Sequence, residues 1–148
     1  MKIALAADHA GFALKDELAV WLRECGHDVL DLGTASEDSV DYPEYGAKLA
    51  RAVAAGDAPR GIAVCGSGIG IAIAINRFAD CRCAHVNEPL SAQLARTHND
   101  ANILALGARL VGSDMARQCV SAFLGGEFSG GRHQRRVDML SALLEDSD

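Results

Sequence analysis

The chain alternates short apolar runs with longer amphipathic stretches, and each apolar run ends at a polar or glycine-rich break. Ile3–Ala7 is the first such run and predicts a buried strand. Phe12–Cys25 follows with Leu14, Leu18, Trp21, Leu22 and Cys25 at helical spacing, which predicts a helix with Gly26 as its C-cap. Val29–Leu32 predicts a second strand and Gly33–Asp41 a polar loop, after which Pro43 opens a helix over Glu44–Ala55. Gly61–Asn76 reads GIAVCGSGIGIAIAIN, which predicts a third strand, a glycine loop over Cys65–Gly70 and a small apolar helix. Cys83–Val86 and Ile103–Leu106 predict the last two strands. Between them Asn87-Glu88-Pro89 leads into a helix ending near Thr97, and His98-Asn99-Asp100 reads as a polar segment before the fifth strand. Ser113-Asp114 is expected to cap a helix to Leu124. Gly125-Gly126 and Gly130-Gly131 bracket a loop, a last helix runs from Arg132 to Leu144, and the acidic tail Glu145–Asp148 is expected to fray.

Strands that alternate with helices from end to end predict one α/β domain over residues 1–148, a doubly wound five-stranded parallel sheet with helices on both faces and an extra C-terminal helix. A chain of 148 residues suits one domain. Its residues are 49% hydrophobic but only 5% aromatic, so Ala, Val, Ile and Leu must build the core. The formal net charge of -6 argues against nucleic-acid binding, yet local arginines can still hold a small anion. No apolar run approaches the roughly 18 residues of a membrane span, and Met1–Leu5 enters a strand without a signal-peptide layout. Five cysteines without scaffold spacing fit a reducing, cytoplasmic setting. No C-x-x-C pair or metal-spaced His/Cys set occurs, so no zinc site is expected.

The chemistry-bearing groups gather after strands. Asp8-His9, Cys65–Gly70 and Asn87-Glu88 each follow one, and in a parallel sheet those loops share the ligand-binding edge. Glycines at Gly66, Gly68 and Gly70 let the backbone turn several N–H groups toward one point, and Cys65 stands beside them. The spacing is neither the dinucleotide G-x-G-x-x-G nor the phosphate-loop pattern ending in Gly-Lys-Ser/Thr. The loop alone leaves Cys65 either a chemical group or a packing residue. Asp8 and His9 could handle protons or a phosphate, or Asp8 could only cap the next helix. Arg132 and Arg136, at i and i+4, could clamp a phosphate or form a solvated face, and Arg109 could be a third ligand or a loop cation. His98 lies at the wrong end of its strand for this edge, unless a second subunit presents it. Cys81 and Cys83 in the fourth strand, with Cys25 and Cys119 on helices, read as packing residues.

Several separated motifs together resemble the type B ribose-5-phosphate isomerases of the ribose/galactose isomerase family. They are Asp8-His9-Ala10-Gly11-Phe12, Asp41-Tyr42-Pro43, Cys65-Gly66-Ser67-Gly68-Ile69-Gly70, Asn87-Glu88-Pro89, Ser91-Ala92-Gln93-Leu94, His98-Asn99-Asp100 and Gly130-Gly131-Arg132-His133-Gln134, in that order along nearly the whole chain. The resemblance implies a Rossmann-like fold and a metal-independent, cofactor-free aldose–ketose isomerase. Such an enzyme would interconvert ribose 5-phosphate and ribulose 5-phosphate through an enediolate, as a homodimer or dimer of dimers with the site near the subunit interface. It implies Cys65 as the base moving a proton between C2 and C1, because the Glu used by another branch falls near Ile71 here. It implies His98 in ring opening, and sugar-phosphate binding by Asp8, His9, Gly66, Ser67, Gly68, Ile69, Gly70, Asn99, Arg109, Arg132 and Arg136. Tyr42 joins the binding set through its motif, while Ser67 and Asp8 join the catalytic one. Ser67 stands where many relatives have Thr, and keeps the hydroxyl. Six-carbon relatives act on allose 6-phosphate or galactose 6-phosphate, so the sugar stays open. A non-catalytic phosphate- or nucleotide-binding module and a thiol redox protein are the alternative readings.

Overall fold

A computed structural model describes residues 1–145 of the chain. β1 (Lys2–Ala7), β2 (Asp28–Asp31), β3 (Arg60–Cys65), β4 (Cys83–His85) and β5 (Ile103–Gly107) form one sheet in the order β2-β1-β3-β5-β4. Every pairing is parallel, and the doubly wound α/β fold expected from the alternation is present. Such a sheet is covered on both faces, which is why β1 reads as an unbroken apolar run and why Ile3 through Ala7 are fully buried. Side chains alternate between two cores. Ile3, Leu5, Ile62, Val64 and Leu104 meet α1 (Phe12–Glu24), α4 (Pro89–Asn99) and α5 (Ser113–Gly125) on one face. Ala4, Ala6, Ala63, Cys65 and Ala105 meet α2 (Tyr42–Ala54) and α3 (Ile69–Ile75) on the other. A further helix, α6 (Arg132–Glu145), packs on α4, and its Val137 is buried.

Several boundaries differ from the pattern's expectation. α2 begins at Tyr42, with Pro43 inside its first turn. β4 is short, so Cys81 precedes it and donates its Sγ–H to the Ala50 carbonyl (3.4 Å) rather than lying in the strand. Cys25 is exposed at the end of α1 and is not a core residue, whereas Cys119 is fully buried. Gly112 occupies the cap position of α5, and Ser113 uses its hydroxyl on the Glu17 carboxylate (2.5 Å) instead of capping. α4 continues through His98 and Asn99, so these residues are helical. Asp100 ends the helix in the left-handed conformation (φ 48°), held by Arg82 and Arg96. The expected frayed tail falls outside the described residues beyond Glu145.

Register places the site. Ala7 pairs Val64, and Cys65 pairs Gly107, so β1, β3 and β5 end nearly level. The chain runs from β1 outward to β2 and then returns across β1 to β3. The strand order therefore reverses between β1 and β3, and a crevice opens at their carboxyl ends.

Candidate active site

At that crevice Asp8, His9, Tyr42, Cys65, Gly66, Ser67, Gly70 and Arg109, with Ala10, line a cavity of about 260 Å³. Asp8 leaves β1 nearly buried, and its Oδ1 accepts the Gly11 N–H (3.0 Å). The carboxylate thus closes the turn into α1, and Asp8 belongs to the cavity lining. His9 is held from across the crevice. Its Nδ1 lies 3.1 Å from the Val40 nitrogen and 3.2 Å from the Val40 oxygen, which leaves Nε2 as the ring nitrogen available to a ligand.

Cys65 ends β3 and is 3% exposed. Cys65 lines the cavity, and its Sγ accepts the Gly68 N–H (3.1 Å) across a tight turn. Gly68 carries φ +80°, and a Cβ there would sit 2.7 Å from the His85 ring and 2.8 Å from the Leu106 carbonyl carbon. Only glycine can make that turn without strain. Ser67 Oγ accepts the Ile69 N–H (3.1 Å), and Ile69 itself is half exposed. The segment after β5 is tied to this loop: Ala108 N–H donates to the Cys65 carbonyl (2.9 Å) and Arg109 N–H to the Gly66 carbonyl (3.0 Å). The Arg109 guanidinium lies over Gly66, whose Cβ would be 3.0 Å from Nη1. Opposite, the Tyr42 ring rests on Gly70, where a Cβ would meet its Cζ at 2.6 Å. One carboxylate, one imidazole, one thiol, one guanidinium and two hydroxyl side chains, Ser67 and Tyr42, thus belong to the lining of a small space. That set can bind an anionic polar molecule and move a proton on it.

Two further thiols lie near this region. Burial, then the Asp80 charge, pushes Cys81 up to about 11, and burial with the neighbouring Cys81 and Cys65 sulfurs raises Cys83 well above the ordinary thiol range. Both stay protonated near neutrality, and a thiol is a poor nucleophile and base. All the cysteines are free.

His98, Asn99, Arg132 and Arg136 are not brought to this cavity. α4 leaves the carboxyl end of β4 and returns to the amino end of β5, so its last residues lie at the opposite edge, and β5 alone spans roughly 16 Å. There the His98 ring stacks on His133, with centroids 4.2 Å apart and planes at 14°. Partial burial, the His98 imidazole and the Arg132 and Arg136 charges hold the His133 imidazole below its usual value. Asn99 instead borders a larger apolar cleft of about 400 Å³ between α6 and the β4 edge, which contains none of the strand-end groups. Sequence reasoning missed Ala10 and the Val40 backbone. The latter carries no side-chain signal, since its N–H and C=O do the work. Among the described residues no cluster of three metal-ligating side chains occurs, and no helix is long and apolar enough to cross a membrane.

The family model described as Ribose/Galactose Isomerase matches residues 3–140. The chain is 49% identical over 142 residues to the ribose-5-phosphate isomerase B of Escherichia coli, covering 96% of this chain and 95% of that protein. The solved structure of the Clostridium thermocellum ribose-5-phosphate isomerase B superposes with a TM-score of 0.99 at 45% identity over the whole of both chains. The type B enzyme of Trypanosoma brucei superposes with a TM-score of 0.93 at 40% identity, over 96% of this chain and 97% of that one.

Proposed function

The chain belongs to the ribose/galactose isomerase family, and from that premise we propose that it interconverts ribose 5-phosphate and ribulose 5-phosphate through an enediolate. The observation that carries this reading is Cys65, a buried residue of the cavity lining whose sulfur accepts the Gly68 N–H. As a thiolate, Cys65 removes the C2 proton of the open-chain aldose, the electron pair passes to the C1–C2 bond, and the carbonyl oxygen becomes an oxyanion. The C2 hydroxyl proton passes to the C1 oxygen, and return of the carbon-bound proton from the Cys65 thiol to C1, with closure of the C2 carbonyl, gives the ketose and restores the thiolate. The transition state places negative charge on the C1 and C2 oxygens, and preorganised donors stabilise it. The Gly68 and Ile69 N–H groups are already used on Cys65 Sγ and Ser67 Oγ. We therefore assign the oxyanion to the Gly66, Ser67 and Gly70 amides, with Gly68 and Ile69 shaping the loop. Arg109 supplies a cation for the phosphate, and Asp8 and His9 hydrogen-bond the sugar.

One guanidinium in the cavity is a sparse phosphate site, and ring opening needs a proton-transfer group beside the furanose oxygen. His98, Asn99, Arg132 and Arg136 supply both functions when the α4–α6 end of a second copy lies over the cavity of the first. The proposed assembly is thus a homodimer, or a dimer of dimers, in which each site is shared. Chelator-treated protein is assayed on ribose 5-phosphate beside allose 6-phosphate and galactose 6-phosphate, and ribose 5-phosphate is expected to turn over fastest. Cys65→Ala and His98→Ala homodimers should each lose nearly all turnover. Mixed after reversible dissociation, they should recover about a quarter of wild-type rate, because half the dimers are hybrids with one intact site. No recovery from proven hybrids would refute the shared site, and wild-type protein inert on all three sugars would refute the isomerase.

A further inference from the structure

Lys15 is 1% exposed, in α1. An ammonium is retained in such a place only when it is paired. Its Nζ donates to both oxygens of Asp31 (2.9 and 2.8 Å) and to Asp16 Oδ1 (3.0 Å), and it lies 5.4 Å from the Phe12 ring centroid. All three ammonium protons therefore have acceptors. Asp31 is the last residue of the edge strand β2, and its Oδ1 also takes the Gly33 N–H (2.9 Å). Directly beyond, Ala7 N–H donates to the Gly33 carbonyl (2.8 Å) and Thr34 N–H to the Ala7 carbonyl (2.9 Å).

The chain leaves the sheet at this pinned point. The segment that follows is tied to the sheet at Gly33–Thr34 and to the site at Val40, whose backbone engages His9 Nδ1. It ends by delivering Tyr42 onto Gly70. We propose that Lys15 is a positioning residue for the active site: by clamping Asp31 it fixes the segment that orients the His9 ring and places Tyr42. The role in substrate binding rests on the reading of His9 given above, whereas the orientation of His9 does not.

Lys15→Met tests this. Methionine keeps an unbranched stem one atom shorter and removes the charge, and Asp31, whose side chain is 34% exposed, can hydrate and still accept the Gly33 N–H. In the wild type the His9 Nδ1 signal should carry the shift imposed by its contact with the Val40 backbone. In Lys15→Met that signal should move toward the value of a solvated imidazole. The KM for ribose 5-phosphate should rise on the order of tenfold with kcat changed about twofold or less, the pattern of lost uniform binding. Leu22→Ala, a core truncation two turns along the same helix, controls for instability and should leave both readouts unchanged. Should Lys15→Met not fold, Asp31→Asn keeps one oxygen to accept the Gly33 N–H but removes the charge and one acceptor of Lys15, and should shift the same signal in the same direction. Wild-type His9 signals and KM in a folded Lys15→Met or Asp31→Asn protein would overturn the proposal. If the wild type proves inert on sugar phosphates, the His9 spectra still decide the role of Lys15 separately.

Discussion

Replacing Cys65 separates its chemical role from its structural one. Cys65→Ala removes the sulfur from a site 3% exposed and strands the buried Gly68 N–H that donated to it at 3.1 Å. Losing the buried sulfur costs about 1 kcal/mol by area and transfer arguments, and a buried donor left without an acceptor costs about 1–3 kcal/mol. The sum, roughly 2–4 kcal/mol, corresponds to a melting point lower by roughly 4–16 °C for a chain of this size. Cys65→Ser keeps an acceptor for that N–H, so it should melt above Cys65→Ala. Its hydroxyl does not ionise near neutrality, so both variants should lose the general-base contribution, about 10²–10⁴ in kcat. The assay pairs thermal unfolding with initial rates on ribose 5-phosphate in the same buffer. It also follows deuterium uptake at the exchanging carbon in heavy water, which accompanies proton transfer through a base open to solvent. Cys65→Ser turning over within tenfold of wild type would refute Cys65 as the base. A serine variant melting no higher than the alanine variant would refute the importance of the Gly68 donor.

Two further predictions follow from the same geometry. Gly70→Ala places a methyl carbon 2.6 Å from Tyr42 Cζ, the free end of a side chain 41% exposed, so the ring can swing away at little thermal cost. The cavity then loses one wall, and KM should rise while the melting point moves by less than about 1 kcal/mol in equivalent terms; unchanged kinetics would show that the ring does not shape the site. The second concerns His133. Its folded-state value lies below the usual one, first because of partial burial and then because of His98, Arg132 and Arg136. A depressed histidine binds its proton more readily when its surroundings open. Its contribution is therefore complete above about 6.5, the ordinary histidine value, and is lost as pH falls below it. Amide exchange in α6, corrected for intrinsic rates, should show loosened docking on acidification below that value; unaltered protection would contradict the sign.

Which elements form, and in what order, is written in the local pattern. Ile3–Ala7 and Ile103–Gly107 are buried on both faces, so their composition alone marks them as strands of a covered parallel sheet. Cys65, Gly66, Ser67, Gly70, Asp8 and His9 were also legible as a set, because each follows a strand and parallel strands deliver such loops to one edge. The sequence could not say where along that edge they converge. That depends on the order β2-β1-β3-β5-β4, which arises from packing between elements distant in the chain. Tyr42 stacks on Gly70 and Arg109 lies over Gly66 for the same reason. Val40 on His9 and Lys15 on Asp31 had no readable signature, one being a backbone contact and the other an ion pair between a helix and an edge strand. Local periodicity specifies each element's face, since it depends on neighbours a few residues apart. Only long-range packing decides which faces meet, and so which side chains share the cavity and which, like His98 and Arg132, end at the opposite edge.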